Sequence, residues 1–213
     1  MPHRLMVAWA LAALLLVGIA CGGNGGQPSA GECPAPSQEA PQPMAKTYPE
    51  RPPMTIDPAN PYRAVINTVR GGFTIELLPD VAPETVNSFV FLAREGYYDG
   101  VTFHRVIPGF VAQGGDPTGS GSGGPGYTLP AEFSSTRFER GTVGMARTAD
   151  PNSGGSQFFI AYAPAPNLDN QYTVFGRVVE GMEVVDCLTP RDPGTNPNAA
   201  PGDAIVNIEI QES

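Results

Sequence analysis

Beyond about residue 58, the sequence divides its apolar residues into short runs separated by glycine and proline. The chain of 213 residues contains 26 Gly and 24 Pro, and such interruptions favour short strands and turns over long helices. The first two runs, 62–69 and 73–78, flank Gly71 and Gly72 and predict a β-hairpin. Further runs occupy 101–107, 110–113, 142–146, 157–162, 172–179 and 204–210. Together they predict a domain made mainly of β-strands.

Two segments have the pattern of helices. Residues 83–95 begin with proline, place apolar side chains such as Phe89 on one face and are followed by Gly96. A second, short helix is predicted at 182–188. Because strands and helices do not alternate in βαβ units, doubly wound and (β/α)8 architectures are excluded. The pattern instead predicts a closed or nearly closed antiparallel β-barrel.

The first twenty residues have the features of a secretory signal peptide. Arg4 precedes an apolar run over 5–20 that is short for a membrane span. The run ends in Val-Gly-Ile-Ala before Cys21, which resembles the lipobox of bacterial lipoproteins except that Gly replaces the usual Leu. We predict a signal peptide over 1–20 and lipid attachment at Cys21. A plain signal peptide and an uncleaved anchor are the alternatives.

The segment after Cys21 is rich in Gly, Pro, Ser, Gln and Ala and contains almost no large aliphatic side chains. It buries too little apolar surface to offset the entropy lost on ordering. We therefore predict a disordered linker over 21–57 that tethers a folded domain of residues 58–213 to a membrane. Cys33 and Cys187 could form a disulfide, but we expect two free thiols.

Charge and composition exclude several classes of function. The net charge of −9 and the pI of about 4.6 argue against a nucleic-acid partner, which requires a basic surface. His104 is the only histidine outside the leader, which is too few for a usual metal site, and no nucleophile-elbow sequence accompanies it. Residues 119–124 satisfy GxGxxG, but the prolines that follow exclude the helix that a dinucleotide site requires.

Two segments carry most of the functional information. Residues 103–116 read FHRVIPGFVAQGGD and residues 155–160 read GSQFFI, with NLD at 167–169 and VFG at 174–176. In this order and spacing they resemble the signature of the cyclophilin family, and the resemblance covers essentially all of 58–213. It implies an eight-stranded antiparallel β-barrel capped by two α-helices. It also implies peptidyl-prolyl cis-trans isomerase activity without a cofactor or metal, and we expect a monomer.

The resemblance further implies which residues form the active site. Arg105 falls at the catalytic position, with Phe110 and Gln113 beside it. The implied substrate-binding residues are Val111, Gly121, Thr148, Ala149, Gln157, Phe159, Leu168 and Tyr172. The apolar residues would hold a proline ring, Gln113 would bond to the substrate backbone, and the strand around Thr148 would add backbone contacts. Without the motif, the same residues would be interpreted as core and surface side chains.

An arginine suits this chemistry for a physical reason. Resonance holds the X–Pro bond planar with a rotational barrier of about 18–20 kcal/mol. As the bond twists, its nitrogen regains a lone pair, to which a permanently charged guanidinium with several donors can donate. We predict that Arg105 stabilises the twisted bond rather than the planar substrate.

Three positions depart from well-known cyclophilins. Val111 replaces a frequent Met, Tyr172 stands where His is often found, and Asn167 stands where some members carry a Trp that helps bind cyclosporin. We predict retained isomerase activity with weakened cyclosporin binding.

The leading hypothesis is isomerisation of X–Pro bonds in proteins that fold outside the cytoplasm, where such bonds limit folding rates. The alternative is a binding module, either a chaperone or a surface adhesin, that holds proline-containing segments in the same groove without catalysis. A solute-binding lipoprotein would need two α/β lobes, and the strand pattern argues against it.

Overall fold

The computed structural model describes Met1 and residues 33–212. Apart from Met1, the predicted signal peptide over 1–20 and the lipid attachment at Cys21 lie outside the described residues. The strands are β1 (Tyr62–Thr68), β2 (Gly71–Leu77), β3 (Arg105–Ile107), β4 (Val111–Gly114), β5 (Thr142–Met145), β6 (Phe158–Ala161), β7 (Val174–Glu180) and β8 (Ile205–Glu212). The helices are α1 (Pro83–Arg94) and α2 (Met182–Asp186), and a 3-10 turn covers Pro166–Leu168. Each predicted run therefore overlaps a strand, and both predicted helices are present.

The strands form one eight-stranded antiparallel sheet in the order β3-β4-β6-β5-β7-β2-β1-β8. The predicted hairpin is present and pairs Tyr62 with Leu77. The prediction of a closed barrel is wrong, because β3 and β8 are edge strands with no ladder between them. β3 is only three residues long, and the chain beside it makes single bonds instead, such as the one from Phe103 N–H to the Asp203 carbonyl at 2.9 Å. The sheet is a half-barrel that is open on this side.

The sheet buries side chains on both of its faces. On the inner face, Ala112 and Phe158 join the main core with residues of α1. Successive side chains of a strand point to opposite faces, so their neighbours Val111 and Phe159 lie on the outer face. There they belong to a second, smaller apolar cluster. The alternation along β4 and β6 therefore places an apolar surface on the outside of the half-barrel.

Helix α1 packs on the main core through a buried face that includes Val86 and Phe89. At its first turn, the carboxylate of Glu132 accepts hydrogen bonds from the N–H groups of Glu84 and Thr85, at 3.0 and 2.8 Å. An acidic group here satisfies free N–H groups and interacts favourably with the helix dipole. Among the helices that the structure describes, none is long and apolar enough to cross a membrane.

Residues 33–57, here called the strap, pack along the folded domain. The Ser37 N–H donates to the carbonyl of Val69 at 2.9 Å, and the side chain of Ile56 is buried. The prediction of a disordered linker is therefore wrong for 33–57, and the compact unit begins at Cys33. Composition could not show this, because much of the strap is held by its backbone rather than by a run of apolar side chains.

Cys33 and Cys187 form a disulfide, with Cα atoms 5.2 Å apart. The expectation of two free thiols is therefore wrong. The bond joins the first residue of the strap to the residue that follows α2, 154 positions along the chain. The expectation failed because it treated Cys33 as part of a free linker, whereas the strap brings it against the domain.

Candidate active site

Strand pairing brings three predicted site residues into one row. Arg105 on β3 pairs with Gln113 on β4, and Gln113 pairs with Phe159 on β6. Gly144 on β5 continues the row beyond Phe159. Directly paired residues place their side chains on the same face of a sheet. The register therefore sets a guanidinium, an amide and an aromatic ring side by side on the outer face of the half-barrel.

The second apolar cluster forms a pocket around Phe159. The Phe159 ring stacks on Phe138 with centroids 5.4 Å apart, and it meets Tyr172 edge to face at 5.5 Å. The remaining predicted members of the cluster are Val111, Leu168 and Phe110. Val111 and Leu168 are buried, whereas Phe110 and Tyr172 are partly exposed at its rim. All of the predicted apolar residues therefore come together, and their arrangement offers an apolar surface to a small ring.

The guanidinium of Arg105 lies beside this pocket. Its Cζ is 5.8 Å from the centroid of the Phe110 ring, which is within the range of a cation–π contact. Within the described part of the chain, no acidic side chain forms an ion pair with Arg105. Arg191 donates to the carbonyl of His104 and exchanges backbone bonds with Val106, which fixes the edge strand on both sides of Arg105. The backbone is therefore held while the guanidinium can donate to a ligand.

The amide of Gln113 is oriented by a second amide. Nε2 of Gln113 donates to Oε1 of Gln157 at 3.0 Å, and Nε2 of Gln157 donates to the carbonyl of Gly123 at 2.9 Å. This chain of bonds fixes which end of the Gln113 amide is used internally. Its carbonyl oxygen is left to accept a hydrogen bond from the backbone of a ligand.

Beyond Gln113, the surface continues as a cleft of about 620 Å³. The other predicted residues that line it are Gly121, Thr148 and Gln157. One wall is the glycine-rich segment 121–128, here called the cleft loop, and the opposite wall is residues 146–148. A polypeptide that leaves the apolar pocket past Gln113 would enter this cleft.

Asp116 fixes the beginning of the cleft loop. Its carboxylate accepts hydrogen bonds from the N–H groups of Thr118, Gly121 and Gly123, at 2.7, 2.6 and 3.1 Å. Burial raises the pKa of Asp116, but the hydrogen bonds from Thr118, Gly123 and Gly121 outweigh it and hold the pKa below its ordinary value of 3.8. The carboxylate is therefore charged at neutral pH and acts as the centre of the loop.

His104 precedes Arg105 but lies on the inner side of the chain. Its side chain is buried, and neither ring nitrogen has a hydrogen-bond partner within the described residues. Burial lowers the pKa of His104 below its ordinary value of 6.5, and the charge of Asp116 opposes this shift only in part. The ring is therefore neutral at neutral pH and lies on the opposite side of the chain from Arg105.

The structure places Thr148 and Ala149 differently from the prediction. β5 ends at Met145, and both residues lie in an exposed turn beyond it. The Thr148 N–H is occupied by Oγ of Ser153 at 2.8 Å, and Ala149 does not line the cleft. The predicted strand therefore does not reach these residues, whereas their contacts with substrate stay a prediction.

Two further side chains of the site, Phe138 and Arg147, are not among the residues predicted from the sequence. Phe138 supplies the stacking partner of Phe159, yet it lies outside the motif segments and gives no sequence signal. The Cζ of Arg147 lies 4.6 Å from the Tyr172 centroid, and Arg147 also lines the cleft. Its signal is the segment 145–147, Met-Ala-Arg, which also matches the cyclophilin pattern.

The sequence of the chain matches a known protein family. The family described as cyclophilin type peptidyl-prolyl cis-trans isomerase/CLD matches residues 63–210. The chain belongs to the cyclophilin family. A probable peptidyl-prolyl cis-trans isomerase of Brucella suis is 45% identical over 170 residues, which cover 74% of this chain and 87% of that protein. Peptidyl-prolyl cis-trans isomerase B of Bacillus subtilis is 54% identical over 119 residues, which cover 55% and 82% of the two chains.

Solved cyclophilins share the architecture. A cyclophilin type peptidyl-prolyl cis-trans isomerase of Cryptosporidium parvum has a TM-score of 0.66 at 34% identity, covering 72% of this chain and 99% of its own. A structure of that protein in the presence of the dipeptide Ala-Pro has a TM-score of 0.61 at 33% identity and covers 71% and 99%. The predictions of a peptidyl-prolyl cis-trans isomerase and of a mainly β cyclophilin-like fold with two helices are confirmed. The family match begins at residue 63, so the strap lies outside it.

Proposed function

We propose that this cyclophilin accelerates rotation about X–Pro bonds in polypeptides, with Arg105 as its catalytic residue. The observation that carries the proposal is the row of Arg105, Gln113 and Phe159, which joins the apolar pocket at Phe159 to the cleft at Gln113. The Cryptosporidium relative solved in the presence of Ala-Pro supports a proline-containing ligand for this groove.

The residues of the row have separate roles in holding the substrate and in rotating its prolyl bond. The proline ring enters the pocket around Phe159, where apolar contact fixes one end of the bond. The carbonyl oxygen of Gln113 accepts from the substrate backbone and holds the chain beside the pocket. The remaining peptide group turns next to Arg105. This positioning removes translational and rotational freedom from the substrate when it binds, before the prolyl bond twists.

Arg105 then stabilises the twisted form of the X–Pro bond, which has a higher free energy than either planar isomer. The planar amide nitrogen has its lone pair delocalised into the carbonyl and is a poor acceptor. In the twisted form the lone pair is localised, and the guanidinium can donate to it at full strength. An interaction that is stronger with the twisted bond than with either planar isomer lowers the barrier in both directions. No covalent bond is made or broken, so the row needs no nucleophile or proton shuttle.

The test compares Arg105→Ala and Arg105→Lys with the unsubstituted chain on an Ala-Pro peptide, by a protease-coupled or NMR exchange assay. We expect Arg105→Ala to lower kcat/KM by about 10²–10³-fold, the typical effect of removing one preorganised donor to a transition state. Arg105→Lys keeps the charge but not the fork of donors, and it should be intermediate. Arg63→Ala, an exposed arginine on β1, is the matched control and should retain full activity.

Peptide affinity separates the enzyme from a binding module. We expect Arg105→Ala to bind the peptide almost as tightly as the unsubstituted chain, because the pocket around Phe159 is untouched. Full activity of Arg105→Ala would show that Arg105 is not catalytic. If the unsubstituted chain binds the peptide without accelerating its isomerisation, the groove serves as the chaperone or adhesin site instead.

We further propose that the enzyme works outside the cytoplasm on proteins that are folding there, held to a membrane through a lipidated Cys21. The leader-like residues 1–20 support this proposal. The Cys33–Cys187 disulfide also supports it, because structural disulfides persist in oxidising compartments. Cys21→Ser should move the protein from the membrane fraction to the soluble fraction of expressing cells. An unchanged distribution would contradict the lipid attachment.

A further inference from the structure

The strap touches the cleft at Tyr48. The Tyr48 N–H donates to the carbonyl of Pro125 at 2.7 Å, and Pro125 lies in the cleft loop. The Tyr48 ring lies 6.5 Å from the ring of Tyr127, which is also in the cleft loop. A segment that precedes the family region therefore forms the support behind one wall of the cleft.

The fit between the strap and the cleft loop is close. A Cβ atom added at Gly126, where φ is +95°, would lie 2.7 Å from the carbonyl oxygen of Tyr48. Only glycine tolerates both this conformation and this approach. On the other side of the loop, a Cβ added at Gly155 would lie 3.0 Å from Cδ of Pro125. Residues 125–126 are thus enclosed between the strap and the half-barrel.

Helix α1 holds Tyr48 against the loop. The Tyr48 ring meets Phe91 edge to face at 5.1 Å. Before Tyr48 in the chain, Lys46 donates to the carbonyl of Glu95, and after it Arg51 forms an ion pair with Glu84 at 2.6 Å. The strap is therefore fixed to both ends of α1 with Tyr48 between the two attachments.

The strand pairing of the catalytic row and the bonds of the opposite wall do not involve the strap. Arg105, Gln113 and Phe159 are set by strand pairing within the sheet. Arg147 in the opposite wall donates to the carbonyl of Gln171 at 2.8 Å. Loss of the strap contact would therefore move one wall of the cleft and leave the prolyl pocket in place.

We propose that Tyr48 is a positioning residue that sets the affinity of the enzyme for extended polypeptides. It acts through the cleft loop on substrate residues that continue past Gln113, away from the proline. The proposal rests on the proposed isomerase function and adds a determinant of substrate length to it. A short peptide that fills only the pocket and the row gains nothing from Tyr48, whereas a longer chain reaching between the cleft walls does.

The test measures kcat and KM of the full chain with two substrates, in Tyr48→Ala and in the unsubstituted enzyme. One substrate is a capped peptide with a single residue on each side of Ala-Pro, and the other is extended by about four residues on each side, long enough to span the cleft. We expect Tyr48→Ala to raise KM for the extended peptide about tenfold, with kcat unchanged. Both constants for the short peptide should stay within about twofold of the unsubstituted values.

Tyr48→Phe is the matched control. The Tyr48 hydroxyl is buried without a hydrogen-bond partner in the described residues, so removing it should leave KM for both peptides unchanged. Tyr48→Leu keeps apolar bulk at the site and provides the measurement if Tyr48→Ala does not fold. Equal changes for the two peptides, or no change for either, would overturn the proposal. Absence of activity on both peptides in the unsubstituted enzyme would instead reject the isomerase function itself.

Discussion

Asp116 is the residue on which the first wall of the cleft depends. Asp116→Asn replaces one acceptor oxygen with a donor that faces the N–H groups of the loop. We expect the free energy of unfolding in urea to fall by about 1–3 kcal/mol, the usual cost of leaving buried hydrogen-bonding groups unsatisfied. Asp80→Asn, on an exposed side chain, should leave it unchanged. An equal effect of both substitutions would contradict this role of Asp116.

The same carboxylate gives a pH dependence with a defined sign. Because the folded-state pKa of Asp116 is held below 3.8, the unfolded chain takes up a proton first as the pH falls. The stability that Asp116 provides is complete above about pH 4 and is lost as the pH falls through the lower, folded-state pKa. The difference in unfolding free energy between the unsubstituted protein and Asp116→Asn should therefore shrink in that acid range. A constant difference would argue against a charged Asp116.

His104 predicts a second effect in a higher range of pH. Burial lowers its pKa below 6.5, reinforced by the charges of Arg191 and Arg105 and opposed by Asp116. The unfolded chain binds the proton more readily, so stability falls as the pH drops below about 6.5, by at most about 1.4 kcal/mol per pH unit. His104→Phe keeps a buried ring without a titrating group and should flatten urea midpoints between about pH 7 and pH 5. An unchanged slope would contradict a neutral, buried His104.

Single residues differ in how far the sequence could predict them. Arg105, Gln113 and Phe159 stand in motif segments, and regular strand pairing suffices to align them. Phe138 and Tyr48 could not be predicted, because their roles arise from contacts with residues far away in the chain that no local pattern records.

Among the strands, β5 contributes Gly144, whose lack of a side chain leaves room for the aromatic rings of the pocket. A Cβ atom at Gly144 would lie 2.6 Å from the ring of Phe159 and 2.8 Å from that of Phe138. Gly144→Ala should displace this stacked pair, raise KM for Ala-Pro peptides severalfold and destabilise the fold by about 1–3 kcal/mol.

Gly176→Ala is the matched control for that substitution. Its Cβ would lie 2.7 Å from Ile75, in a part of the sheet away from the pocket. It should lower the melting temperature in a similar way but leave KM unchanged. If the two variants change KM equally, the effect of Gly144→Ala comes from general destabilisation rather than from the pocket.

The sequence predicted the elements better than their assembly. Hydrophobic runs located the eight strands, and Pro83 with Gly96 located α1 to within a residue. Closure of the barrel was not predictable in this way. Closure depends on whether β3 and β8 form a ladder. The path of the segment before β8, which folds over the short β3, decides this, and the hydrophobic runs do not record that path.

For the whole molecule, the disulfide is the longest-range constraint in the part of the chain that the structure describes. Closing a loop of 154 positions lowers the conformational entropy of the unfolded chain. In a chain-entropy treatment this stabilises the folded state by up to about 5 kcal/mol. Adding reductant should therefore lower the melting temperature of the protein. A variant with both Cys33→Ser and Cys187→Ser should melt at the lower temperature with and without reductant. Equal melting of the oxidised and reduced protein would contradict a stabilising bond.

The strap shows why the extent of the molecule was the hardest feature to predict. Its composition is that of a linker, and composition measures apolar burial. Its contacts include backbone bonds from Ser37 and Tyr48 and a pairing of distant cysteines. Single side chains, among them Tyr48 and Arg51, add contacts with α1. None of these contacts can be recognised from the local sequence.

The position of the Cys33–Cys187 bond also determines how the molecule carries mechanical load. A pull applied to the chain before Cys33 would pass through the covalent bond into the residue after α2, and the strap behind it would bear no tension. With the bond reduced, the same pull would peel the strap from Ser37 toward Tyr48, one contact at a time. The disulfide therefore isolates the wall of the cleft from forces acting on the N-terminal end of the chain.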